Sequence, residues 1–139
     1  MSRGEKDQLE QILHKLNEIE PPVRKFPVMP EDPAMAVYFL ELADVCYVTT
    51  RTEHGREEIM FVTRQGKKFY SNLRLSEVEE RLADHPYFLR SSKFYIINLR
   101  RIVGLRVSSS RDLWFEGLDE PVINAVTSTY LEDFEKRFP

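Results

Sequence analysis

Between Val37 and Val126 the chain is a succession of short apolar runs, each rich in β-branched or aromatic residues and each closed by turn residues. Val37–Leu40, Val45–Val48, Ile59–Val62, Lys68–Tyr70, Ile102–Ser109, Leu113–Phe115 and Val122–Val126 are too short for buried helices and have the composition of strands. Phe88–Ser92 also reads as extended, and Phe94–Leu99 is strongly apolar but carries Asn98. Glu41–Asp44, Gln65-Gly66, Ser108–Ser110 and Gly117 supply turns, and Arg51–Glu57 reads as a polar loop around Gly55. A parallel sheet needs long crossover helices between its strands, and none is written here, so the expectation is a mainly β fold of small antiparallel sheets.

Two segments break this pattern with helical spacing. Leu73, Leu75, Val78 and Leu82 form one apolar face; Ser76 and Glu79 have the spacing of a capping box, and Asp84-His85-Pro86 ends the run. Thr127–Phe138 places Tyr130, Leu131, Phe134 and Phe138 on one side, with Thr127 or Ser128 available as a cap. Upstream, Gln8–Glu20 predicts an amphipathic helix whose stripe is Leu9, Ile12, Leu13, Leu16 and Ile19, stopped by Pro21-Pro22. A helix this short needs cover for its stripe, from its own domain, a second copy or another partner. The organisation that follows is a possible dimerisation element at 1–22, a proline-rich linker or edge segment at 23–34 in which Lys25–Val28 can form a short strand, and a regular domain at 35–139.

The chain has 139 residues and a single cysteine, Cys46, so an internal disulfide is impossible. Cys46 sits within an apolar strand and reads as a small buried hydrophobe. With no secretory signal and no run of 18 apolar residues, a cytoplasmic protein with no membrane segment is expected. His14, His54 and His85 are scattered, without metal-ligand spacing or a recognisable Ser–His–Asp arrangement. No enzyme activity, metal or cofactor is expected.

The net charge of −3 conceals a segregation. Phe88–Arg111 carries Arg90, Lys93, Arg100, Arg101, Arg106 and Arg111 with no acidic residue; Asp112–Glu135 carries seven acidic residues and no basic one. Phosphate contacts depend on the local field, which salt screens over about 10 Å. A basic patch at Arg90 and Lys93 is therefore compatible with nucleic-acid binding in an acidic chain.

Three stretches carry a family resemblance. Leu42-Ala43-Asp44-Val45-Cys46-Tyr47-Val48 is similar to an early Asp-Ile-x-Tyr-Ile strand. Phe88 to Ile102 follows an order of aromatic, Arg, polar triplet, apolar run, Asn and Ile, and Ala125-Val126-Thr127-Ser128-Thr129-Tyr130-Leu131 resembles Val-Ser-Arg-Arg-Tyr-Leu before a last helix. Together they resemble the LytTR family of bacterial DNA-binding domains over about residues 25 to 138. The resemblance implies about ten strands in small, mostly antiparallel sheets with two short helices, and transcriptional regulation through inter-strand loops entering the major groove of double-stranded DNA.

The resemblance also locates the departures. The family's base-contacting His falls on Ser92, the serine of the same triplet on Phe94, and the base-contacting Arg of the last motif on Ser128. Serine cannot make the bidentate guanine contact of arginine, which is worth roughly 1–3 kcal/mol of discrimination. Arg90 and Lys93 remain as expected phosphate contacts, with Arg51, Arg56 and Arg111 as further candidates; Arg100 and Arg101 belong to the same basic patch but rank lower because they follow Asn98. Asn98 is expected to be structural, bonding loop backbone. Two functions stay open: a DNA-binding regulator acting as a homodimer on repeated half-sites, and a LytTR-like interaction module with a regulatory protein partner that has lost sequence-specific reading.

Overall fold

The computed structural model describes Gln8 and residues 25–32, 34–53 and 55–138. The helix expected over Gln8–Glu20, with its stripe, lies outside the described residues apart from Gln8. Among the described residues ten strands form three antiparallel sheets. The first sheet is a ribbon of β1 (Lys25–Val28) and β2 (Tyr38–Glu41). The central sheet contains β3 (Val45–Glu53), β4 (Arg56–Thr63), β5 (Lys68–Ser71), β6 (Phe88–Arg90) and β7 (Tyr95–Asn98), in the order β5-β4-β3-β7-β6. The third contains β8 (Ile102–Val107), β9 (Arg111–Phe115) and β10 (Val122–Val126), in the order β10-β9-β8. Helix α1 spans Leu75–Arg81 and helix α2 spans Leu131–Arg137.

The central sheet is buried on both faces, which is why its strands read as continuous apolar runs rather than strict alternation. One cluster joins Val45, Val48, Ile59, Phe61, Phe88 and Ile96 to Phe26, Val28 and Leu40 of the ribbon and to Leu75, Val78 and Leu82 around α1. A second joins Cys46, Leu89 and Ile97 to Leu113, Phe115, Val122, Ala125, Val126 and Phe134. Successive residues of β6 and β7 therefore serve different cores: Phe88 and Ile96 one, Leu89 and Ile97 the other. Fully burying a side chain of this size contributes about 1.5–3 kcal/mol.

The short runs and both apolar helix faces fall where the sequence places them, but three local expectations are corrected. Arg51–Glu53 and Arg56–Glu57 are strand rather than loop. β3 and β4 continue as a ribbon in register to Glu53↔Arg56, held beyond the core by cross-strand charge pairing, with Arg51 opposite Glu58. The first helix does not start at a Ser76–Glu79 capping box. It starts at Leu75, where the Arg74 N–H donates to Glu77 Oε1, leaving Glu79 free to reach Arg90. The last helix opens with a 3-10 turn at Ser128–Tyr130 before α2.

Candidate nucleic-acid interface

The turn from β6 to β7 is held by side chains as well as by its own backbone. The Ser91 N–H donates to the Tyr95 carbonyl, and the Phe94 N–H donates to Ser92 Oγ. The next three carbonyls are all occupied. Arg90 donates from Nε to Ser92 O at 2.7 Å and from Nη2 to Lys93 O at 2.8 Å, and Thr49 Oγ1 donates to Phe94 O at 2.9 Å. The remaining edge of the Arg90 guanidinium meets Glu79 Oε1 at 3.0 Å, anchoring the turn to α1. Backbone groups that would otherwise be left to water are thereby fixed, and 91–94 becomes a rigid platform.

The burial of these residues is uneven. Ser92, at 1% exposure, is an internal cap of the turn. The Arg90 side chain is 17% exposed and committed to the platform. Lys93 is exposed and has no ion-pair partner among the described residues. Phe94 is 56% exposed and belongs to neither core cluster. It lines a cleft of about 520 Å³ together with Arg74, Arg90 and Lys93 and with the acidic residues Glu57 and Glu58.

A second loop joins the platform directly. The Thr127 N–H donates to Ser91 O at 3.1 Å, which brings the exposed Ser128 at the start of the last 3-10 turn alongside 91–94. Two stretches separated by more than thirty residues in the chain thus meet through one backbone bond. Arg111 comes near the same edge because Val126 pairs with it in register. Its guanidinium is used for bonds to Ser108 O and Ser110 O and to Glu135 Oε1 at 2.8 Å. Arg51 is likewise held by Glu58 and Glu53 and lies 3.9 Å from the Tyr70 ring centroid. Arg56 is exposed at the far end of the β3–β4 ribbon.

Asn98 is fully buried at the other end of β7. Its Nδ2 donates to Val45 O at 2.9 Å and its Oδ1 accepts from the Arg100 N–H at 3.0 Å, so it ties β3 to the 3-10 turn at Leu99–Arg101. Arg100 lies over the Tyr87 ring, and Arg101 bonds Ala43 O and Glu116. The basic block of the sequence is largely neutralised by the fold: Arg101, Arg106 and Arg111 meet Glu116, Asp112 and Glu135 of the acidic block, and Arg90 meets Glu79. The Asp112 carboxyl is held below its ordinary value by the Asn124 N–H and by Arg106, and the Glu116 carboxyl by Arg101. The supporting roles of Thr49 and Glu79 have no local sequence signal, because both partners lie far along the chain.

The sequence profile of the LytTr DNA-binding domain matches residues 35–138. The chain belongs to the LytTR family. A solved LytTr DNA-binding domain from Bacillus cereus superposes with a TM-score of 0.59 at 16% identity, covering 81% of this chain and 96% of that one. Comparison with curated proteins gives no match. In this LytTR domain, the platform and the Ser128 loop correspond to the two stretches where the resemblance places base contacts. Their exposed chemistry is one ammonium, one aromatic ring and hydroxyls, in place of an imidazole and a guanidinium.

Proposed function

We propose that this LytTR domain regulates transcription by binding duplex DNA through the 91–94 and 127–129 loops in the major groove. Lys93 contacts phosphate, and Arg90 acts through the shape of the loop. The observation that carries this reading is the rigid platform: a turn with its carbonyls already bonded presents Lys93 and Phe94 to solvent beside Ser128. Such a surface meets a groove with little ordering cost on binding. The protein works in the cytoplasm as a homodimer on repeated half-sites, with the stripe Leu9, Ile12, Leu13, Leu16 and Ile19 joining two copies and so enlarging a modest single-domain interface.

A protein-interaction role is the second reading. Two observations favour it: Arg51, Arg90 and Arg111 are occupied by carboxylates, and β8 leaves Val103 and Val107 about two-thirds exposed on an outer strand that no described strand covers. Selection from a random duplex library at two salt concentrations decides between the readings. A repeated motif retained at the higher salt supports DNA regulation. Motif-free binding that salt abolishes leaves phosphate attraction alone and moves the assignment to protein interaction.

A further inference from the structure

We infer that Phe94 is a specificity-determining residue of this domain and that the base feature it recognises is the C5 methyl of thymine. The inference rests on the DNA-binding role proposed above and follows from what the platform leaves available. The carbonyls of Ser92, Lys93 and Phe94 each already accept a bond from Arg90 or Thr49, which leaves a base donor at most one lone pair on each. The Phe94 N–H is taken by Ser92 Oγ, and Ser92 itself is buried. Each nitrogen of the Arg90 guanidinium bonds Ser92 O, Lys93 O or Glu79, so the group is held against the turn and α1 rather than extended towards the O6 and N7 of guanine.

Two exposed side chains remain on the turn. The Lys93 ammonium is a point charge on a flexible stem, suited to a phosphate rather than to a base pattern. The Phe94 ring has no hydrogen-bonding atom, so any discrimination it provides must come from apolar contact. In the major groove the thymine methyl is the apolar group that distinguishes one base from the rest. The ring's position supports this role, because an aromatic that neither core cluster uses is held out by a turn fixed at both its N–H and its carbonyl.

Uracil pairs like thymine but lacks the methyl, which makes it the direct probe. The full chain is used to select duplexes from a random library, and its affinity for the winning duplex is compared with that for the same duplex carrying uracil in place of thymine. The expected result is a loss of about fourfold for each contacted methyl, the worth of one buried methylene-sized group. Phe94→Ala removes this thymine–uracil difference, and Phe94→Leu keeps part of it. A winning motif bound equally with thymine or uracil overturns the inference and leaves DNA binding intact. So does a thymine preference that survives in Phe94→Ala, since another residue then reads the methyl. Absence of duplex binding by the unaltered chain, even at low salt, removes the underlying DNA-binding role and the inference with it. Phe94 lies outside both cores, so an unchanged thermal transition shows that the variants remain folded.

Discussion

Arg90 and Lys93 lie three residues apart, yet their charges meet different fates. Arg90 bonds two successive carbonyls and a carboxylate, so its charge is compensated inside the protein. Lys93 is exposed and has no ion-pair partner among the described residues, so its charge is available to a phosphate. The two should separate in a salt titration. Lys93→Gln is expected to weaken binding to all duplex sequences alike and to reduce the slope of log affinity against log salt by about 1. Arg90→Gln is expected to weaken binding at least as much while leaving that slope unchanged, because it disorders the turn without removing a phosphate contact. A slope that falls equally in both variants would place the Arg90 guanidinium on the DNA. Fluorescence anisotropy on one labelled duplex at four salt concentrations gives the comparison.

Turns decide how the sheets meet, and glycines show which turns are fixed by their surroundings. Gly66 closes the β4–β5 hairpin at φ 77° with open space around the position of a Cβ. Gly117, after β9, has φ 80° and lies so close to the Arg64 carbonyl that a Cβ would drive into it. Gly66→Ala is expected to cost about 1–2 kcal/mol, the penalty for a left-handed L-residue. Gly117→Ala should cost clearly more, because the backbone of the third sheet must also move away from the β4 end. Urea unfolding of the two variants side by side checks the order, and equal midpoints would refute the close-approach argument. The sequence marks both glycines as turns but cannot separate them, since the difference lies in what Arg64 does at the same place. The same limit explains the other elements. Strands and apolar helix faces are legible from short-range pattern, because burial on a sheet face or helix stripe imposes a period. The Arg51–Glu57 ribbon is not, because charged residues read locally as a loop, and it is their cross-strand partners that make them strands. For the candidate site, Lys93 and Asn98 follow from position in a motif, whereas the burial of Ser92 and the commitment of Arg90 depend on Thr49, Glu79 and the turn's own geometry.

At the scale of the whole molecule, the two sequence blocks of opposite charge fold against each other, and the electrostatics of the surface differs from the electrostatics of the chain. The pH dependence of stability follows from groups that the fold perturbs. Burial pushes the Cys46 thiol up to about 11, above its ordinary 9.0, so the folded state holds a proton that the unfolded chain releases first. Its contribution to stability is complete below about pH 9 and is lost as the pH rises towards 11. The Asp112 carboxyl has the opposite sign: its depressed value makes a contribution present above the ordinary carboxylate range and lost as the pH falls through the folded value. The urea midpoint should therefore fall between about pH 9 and 11, and Cys46→Ala should flatten that fall even though it lowers the midpoint at every pH.

Oligomerisation belongs to the same scale. Among the described residues both cores are built from Phe26 onward, and removal of residues 1–22 is expected to leave the urea midpoint of the domain nearly unchanged. If the Leu9–Ile19 stripe joins two copies, the same deletion converts a dimer to a monomer in sedimentation equilibrium. It also weakens binding to a two-half-site duplex much more than to a single half-site, because the second contact loses its high effective concentration. A truncated protein that sediments and binds like the full chain would show that the stripe is not the dimer device and would leave the exposed residues Val103, Leu105 and Val107 on β8 as the apolar surface to test next.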